Sequence, residues 1–290
     1  MEKQVSGVLN IFKPKGITSN GVIMKVRKII GIKKVGHTGT LDPEAEGVLP
    51  ICIGKATRVA GMLTDANKAY RAVIRLGITT DSQDMTGKIL STADVNITKQ
   101  QFEAAVSDFV GEITQVPPMY SAIKMNGQPL YKLARQGIEV ERKPREIKIT
   151  EIKILDFSGD KGTIEVYCSK GTYIRTLCAD IGEKLGCGGV MDSLLRIKSG
   201  PFELAESITI EYLSENINRI DEFIVNVDKL FDYDSFYVKE DETVKIKNGV
   251  PVRNPAVQNG KKYRVYGENG EFLCISEGKN GVLEMIKGFY

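Results

Sequence analysis

Apolar positions recur along this chain with two periods, and the switches between them mark its elements. Residues 7–12 (GVLNIF) are a short apolar run bounded by a KPKG turn, which predicts a strand. After the turn, Val22, Ile23, Val26, Ile29 and Ile30 repeat at helical spacing, with Ser19 placed to cap the helix and Gly31 to end it. Lys25, Arg27 and Lys28 fall off that stripe and give the helix a basic outer face. The segment AYRAVIRLG (69–77) alternates instead. Tyr70, Ala72, Ile74 and Leu76 share one strand face, while Arg71, Val73 and Arg75 share the other. Thr98 and Gln101 form a capping box ahead of a helix that turns Phe102, Val106 and Phe109 inward.

Residues 118–145 break this regularity. They are polar, basic and interrupted by Gly and Pro, and are expected to stand away from the core as an insertion. Strands resume with REIKITEIKILDF and GTIEVYCSKG, followed by a helix through Ile174, Leu177, Cys178, Ile181 and Leu185. An acidic stretch around 211–234 closes the main domain. Beyond it, TVKIKNGVPVRN, GKKYRVYGENGEFLCISEG and VLEMIKGFY are short strands punctuated by Asn-Gly turns, which predicts a small β-barrel-like module of about 60 residues.

Composition adds limits. With 290 residues, 42% hydrophobic and 27% charged, the chain can build one large domain and a small one. No apolar run approaches the roughly 18 residues that a membrane helix needs. The N-terminus lacks a signal-peptide core, so a cytoplasmic location without membrane contact is expected. Cys52, Cys168, Cys178, Cys187 and Cys274 form no Cys-x-x-Cys pair. With a single histidine they read as reduced core thiols, and neither a metal nor a cofactor is expected.

The net charge is only +3, but it is unevenly spread. Residues 1–35 hold eight basic side chains against one acidic, 121–150 hold seven against three, and 244–264 hold six against none. Such blocks fit a polyanionic partner touched at several places. They also fit plain solvated lysines, and charge alone leaves both open.

The one histidine, His37, lies in GHTGTLDPEAEGVLPICIGKATR (36–58), five residues before Asp42. Pro43 pushes Asp42 towards extended geometry, and with Gly39 it stiffens the loop. An ionised, oriented aspartate is a nucleophile towards carbon, whereas Asp-Pro by itself also serves simply to form a turn. His37 lacks partners for a metal site and a serine elbow for a hydrolase. It reads as a loop residue with a backbone hydrogen bond or as a ring that stacks on a base. Tyr70 and Tyr173 fit a core as well as a site. Arg175 lies among apolar helix neighbours, and a buried arginine normally requires a carboxylate. The P-loop-like stretch ending in Gly54-Lys55-Ala56-Thr57 has six residues between its glycines instead of four. Nucleotide-binding and serine-hydrolase signatures are both missing.

Six segments in one order then become specific: KPKGITS (13–19), GHTGTLDPEAEGVLPICIGKATR, AYRAVIRLG, QVPPMYSAIK (115–124), SKGTYIRTL (169–177) and the final Asn-Gly-rich module. Together they closely resemble the bacterial tRNA pseudouridine synthase B family, over essentially the whole chain. The resemblance implies an α+β pseudouridine synthase fold, a mixed and largely antiparallel sheet flanked by helices, plus a small C-terminal PUA-like barrel. It implies a catalytic domain over 1–228, a thumb insertion at about 118–145 and an RNA-binding domain over 233–290. Asp42 is then the catalytic aspartate, Tyr70 the aromatic stacked on the target uracil and Arg175 the partner of Asp42. His37 is the residue inserted near the flipped nucleotides, and Tyr173 and Leu194 are pocket walls. The implied reaction is isomerisation of uridine 55 in the T-loop of tRNA, by base flipping and nucleophilic attack, with no metal or redox cofactor. The T-arm of tRNA is the implied partner, and the short C-terminal module predicts a stand-alone monomer with no obligate protein partner. Two other readings share these motifs: a synthase of the same family that acts on another RNA, and a non-catalytic RNA-binding or chaperone protein.

Overall fold

In the computed structural model, which describes residues 5–125 and 127–290, strands β1 (Gly7–Lys13) and β3 (Glu46–Ile53) are buried at nearly every position. Strands covered on both faces read as continuous apolar runs, which is why neither alternates in sequence. Residues 1–4, the start of the segment read for a targeting signal, and Asn126 of the predicted insertion lie outside the described residues. Among the described residues no helix is long and apolar enough to cross a membrane.

Helix α1 (Ser19–Ile30) lies between β1 and β2 (Val35–His37). Then come β4 (Lys68–Leu76), α2 (Lys99–Ser107), β5 (Gly111–Gln115), β6 (Arg145–Ser158), β7 (Lys161–Cys168), α3 (Ile174–Lys184) and β8 (Gly189–Ser199). Among the described residues ten strands form the main sheet, whose path runs 224–225, β1, β3, β8, β4, β7, β6, β5. Neighbours along it are antiparallel except β3 and β8, which meet in parallel at Leu195–Glu46 and Arg196–Gly47. That contact needs Gly47. Its φ is +105°, and a Cβ there would collide with the Arg196 carbonyl.

Helices α2 and α3 bury Phe102, Val106, Leu177, Cys178 and Ile181 against the β4 face that carries Tyr70, Ala72, Ile74 and Leu76. The alternation read for 69–77 and the capping box at Thr98 are both present. Helix α1 packs Val22, Ile23 and Val26 on Leu9, Ile11, Leu49 and Ile51. Its N-cap is Thr18, whose Oγ1 accepts from the Gly21 N–H, and not the expected Ser19. The Ser19 hydroxyl is buried and committed to Leu41 of the next loop, so it is unavailable as a cap. The insertion also departs from expectation at its root. Pro117, Pro118, Met119 and Ser121 are buried, while most of residues 135–146 are exposed.

The C-terminal strands β9 (Asp234–Val238), β10 (Lys262–Gly267), β11 (Phe272–Lys279) and β12 (Val282–Gly288) join residues 252–253 in a second sheet, with helix α4 (Glu240–Lys247) beside it. Its own core gathers Val238, Ile246, Val265, Leu273 and Leu283. Ile275 and Phe289 instead pack on Val8, Cys52, Ala56 and Val59 of the main sheet region. The Arg58 guanidinium also donates to the Gly288 carbonyl. All five cysteines are free and buried.

Candidate active site

Asp42 sits on the loop between β2 and β3, and that loop is bolted from behind by the KPKGITS segment. The Lys13 ammonium, fully buried, donates to the carbonyls of Pro14, Pro43 and Ala45 at 2.9, 3.0 and 2.6 Å. Gly16 N–H donates to the Pro43 carbonyl at 3.0 Å. Ser19 Oγ donates to the Leu41 carbonyl and accepts from the Leu41 N–H, at 3.1 and 2.9 Å. Leu41 itself is anchored in the core. The backbone is therefore fixed while the carboxylate, its side chain 40% exposed, projects into the open.

Arg175, in the first turn of α3, is 133 residues away in sequence and meets Asp42 directly. Its Nε lies 3.0 Å from Asp42 Oδ2, and Nη2 lies 3.4 Å from Oδ1. Nη2 also donates to the Tyr120 carbonyl at 2.7 Å and Nη1 to the Ser82 carbonyl at 3.2 Å. A second carboxylate, Asp84, stands 3.7 Å from Nη1. Asp84 is held in turn by the Ser82 hydroxyl and by both the N–H and hydroxyl of Thr86. Burial raises the Asp42 pKa above the ordinary carboxylate value; Arg175 opposes this, Asp84 adds to it and Lys13 opposes it. Burial pushes Lys13 down to about 8, against the pull of Asp42.

Of the other predicted residues, Tyr70 and Tyr173 lie within electrostatic reach of Asp42, and Leu194 shares a core cluster with Leu41 and Tyr70. Tyr70 is 8% exposed on β4, directly across from Arg196 of β8, and its hydroxyl lies against the Arg196 guanidinium. Burial raises the Tyr70 pKa and Arg196 opposes the rise. Leu194 is buried on β8 opposite Ala72. Tyr173 caps the start of α3, and its N–H and C=O are both gripped by the Gln115 amide at 2.8 and 3.0 Å. His37 ends β2 and accepts from the Gly39 N–H through Nδ1 at 3.2 Å. Burial, and secondly Arg196, lower its pKa, so the ring is neutral at physiological pH.

Three residues were not picked out from the sequence: Lys13, Asp84 and Arg196. Lys13 lies within a quoted motif and Arg196 interrupts the apolar run of β8, which are usable signals. Nothing in DSQDMTG (81–87) marks Asp84, because only tertiary packing sets it beside Arg175. Among the described residues no group of three or more His, Cys, Asp or Glu could hold a metal ion. A cavity of about 400 Å³ lined by Lys55, Asp228, Tyr266 and Phe289 lies apart from Asp42, where the C-terminal sheet meets the first strand. Chemically, the site offers an oriented carboxylate flanked by two buried cations, with an aromatic ring nearby.

Comparison with known proteins identifies the family. Residues 27–174 match the family described as TruB family pseudouridylate synthase (N terminal domain). Residues 175–232 match the tRNA pseudouridylate synthase B C-terminal domain. The chain is 46% identical to the tRNA pseudouridine synthase B of Clostridium kluyveri, over 98% of this chain and 100% of that protein. It is 49% identical to that of Dechloromonas aromatica, over 97% and 94%. Among solved structures it resembles a Cbf5–Nop10–Gar1 complex with a TM-score of 0.74 and 27% identity, covering 98% of this chain and 85% of that one. An H/ACA RNP bound to a substrate RNA containing 2'-deoxyuridine gives 0.73 and 25%, with the same coverage. With half of the chain inside the family's N-terminal domain and full-length relatives near 50% identity, this chain belongs to the TruB family of pseudouridylate synthases.

Proposed function

We infer that the protein isomerises uridine 55 in the T-loop of tRNA to pseudouridine, with Asp42 as the nucleophile. The observation that carries this reading is the Asp42 carboxylate, fixed by its loop, partly open, and held 3.0 Å from a buried arginine. Extruding the target base costs a few kcal/mol. Stacking on Tyr70, with Tyr173 and Leu194 as walls and His37 beside the vacated stack, offsets that cost. Asp42 attacks the nucleoside, the C1′–N1 bond breaks, and the freed base turns. A C1′–C5 bond then forms, the bond to Asp42 breaks and returns the free carboxylate, C5 gives up its proton and N1 gains one. Arg175 keeps Asp42 ionised and aimed.

The catalytic domain is assigned to 1–228, with a thumb at about 118–145 that closes over the RNA loop, and a PUA-like RNA-binding domain to 233–290. The separate core of the second sheet and the end of the second family match at residue 232 support that division. The enzyme is read as a cytoplasmic monomer that needs no protein partner. Identity of 46–49% to proteins named for tRNA, against 25–27% to chains from H/ACA assemblies, favours tRNA over another RNA as substrate. Pseudouridine mapping in tRNA from a strain lacking the gene, with purified protein added back, tests this. Position 55 should be unmodified without the protein and restored by it. Pseudouridine persisting there without it, or no product on add-back, overturns the assignment.

A further inference from the structure

Arg196 is the bulkiest of the fully buried side chains, and no described carboxylate pairs with it. A buried cation without a counter-ion is costly unless its donors are all engaged and its charge serves a purpose. Two of its nitrogens are engaged by backbone. Nε donates to the Val48 carbonyl at 2.6 Å and Nη2 to the Gly39 carbonyl at 3.2 Å, and the Tyr70 hydroxyl lies against the same guanidinium.

Gly39 is the link. It accepts from Arg196 through its carbonyl and donates through its N–H to His37 Nδ1 at 3.2 Å. Its φ is +148°, and a Cβ there would lie at an ordinary contact distance of 3.6 Å from both Arg196 Nη1 and Lys68 Cε, so both basic side chains lie beside this backbone. Because Nδ1 is an acceptor, the neutral ring carries its proton on Nε2, which has no described hydrogen-bond partner. Lys68 is turned away, donating to the Thr64 and Ala66 carbonyls at 2.7 Å each. Lys13 is spent on three carbonyls behind the loop. Arg196 is thus the cation that acts on His37.

We propose that Arg196 is a positioning residue, which through the Gly39 backbone locks His37 as a neutral ring presenting Nε2–H to an acceptor oxygen of the RNA, and which holds the Tyr70 ring in register with it. The proposal rests on the reading of His37 and Tyr70 as groups that contact the extruded nucleotide. It assigns to one buried arginine the common frame of two recognition groups from different strands.

His37 is the only histidine, so one imidazole signal needs no assignment. Nitrogen and proton NMR of the full chain would read its tautomer and pKa in the parent, Arg196→Lys and Arg196→Met. In the parent the ring should be the Nε2–H tautomer and titrate below the ordinary histidine value. Arg196→Met should raise that pKa by about half a unit or more and mix the tautomers. Arg196→Lys, which keeps the charge but cannot reach both Val48 and Gly39, should leave the pKa low and still mix the tautomers. Both variants should weaken binding of a T-arm stem-loop by about tenfold. A folded variant with unchanged tautomer and pKa overturns the relay. An altered histidine with parental RNA affinity overturns its part in recognition. The Lys variant keeps the test open if the Met variant does not fold. A parent that fails to modify tRNA would count against the proposed function while the NMR result still judges the relay.

Discussion

Replacing Arg175 with methionine removes a charge that two carboxylates and two carbonyls share. The side chain is 6% exposed, so what it leaves behind stays largely out of water. The Tyr120 and Ser82 carbonyls, now 2.7 and 3.2 Å from guanidinium nitrogens, would lose a donor at about 1–3 kcal/mol each. Asp42 is open enough that its share is screened, and contributes about 1 kcal/mol or less. Asp84, more enclosed, keeps its hydroxyl and N–H donors but loses its cation. Methionine refills most of the volume, so cavity cost is small. The total is about 3–5 kcal/mol, the range found when one partner of a buried pair is removed. On a total stability of about 5–15 kcal/mol the variant should still fold, with a Tm lower by roughly 6–20 °C. The sign of its pH dependence follows. Without Arg175, which opposes the effect of burial on Asp42, the folded-state pKa of Asp42 rises further, so acid neutralises its uncompensated charge and the penalty shrinks as pH falls. Urea unfolding of parent and variant at pH 7.5 and pH 5 measures this. A difference below about 1 kcal/mol at pH 7.5, or one that does not shrink at pH 5, refutes the reasoning.

Asp42→Asn should abolish pseudouridine formation while tRNA affinity stays within about tenfold, roughly 1.4 kcal/mol; near-parental turnover in single-turnover assays would remove Asp42 as nucleophile. Because burial holds Asp42 above 3.8, the rate should be lost on acidification through a pKa above that value. Asp84→Asn, which removes a raising charge, should move that limb to lower pH, and movement the other way would contradict the geometry. Lys13, at about 8 folded against 10.5 unfolded, binds fewer protons when folded between those values, so its contribution to stability rises with pH there by at most about 3 kcal/mol. Lys13→Met should flatten that part of the stability–pH curve, which unfolding titrations from pH 7.5 to 10.5 would show. In the basic block at 244–264, Lys245, Lys247 and Lys261 are paired with acids and Arg264 donates inward, leaving Arg253 and Lys262 outside the described ion pairs. If this block anchors RNA, Arg253→Glu with Lys262→Glu should flatten the dependence of log affinity on log salt by roughly 0.7–0.9 per lost phosphate contact. Filter binding at two salt concentrations reads it, and an unchanged slope would remove the block from the interface. Deleting 233–290 is a poorer test, because Ile275 and Phe289 cover Val8, Cys52 and Val59 and their loss would expose that apolar face.

What the chain determined locally was legible in its order of residues. The helix at 19–30, the alternation of β4 and the capping box at Thr98 are set by neighbours within a turn or a pleat, and periodicity records them. The stiffness of the Asp42 loop is equally local, written in Gly39 and Pro43. Periodicity placed Ser19 at a cap but could not see that Leu41 competes for its hydroxyl. It marked 118–145 as an outlying insertion but could not see that the Tyr120 carbonyl is drawn onto Arg175. A buried arginine announces that it needs a carboxylate, yet which one depends on bringing α3 against two loops distant in sequence. Asp84 carries no mark at all, and Arg196 is marked only as a break in the apolar run of β8, since each gains its role only when a strand pairing or a loop closure sets it against a group far away in the chain. Tertiary structure decided those partners because buried charge must be satisfied wherever the core places it, and the core is assembled from residues that are not neighbours in sequence.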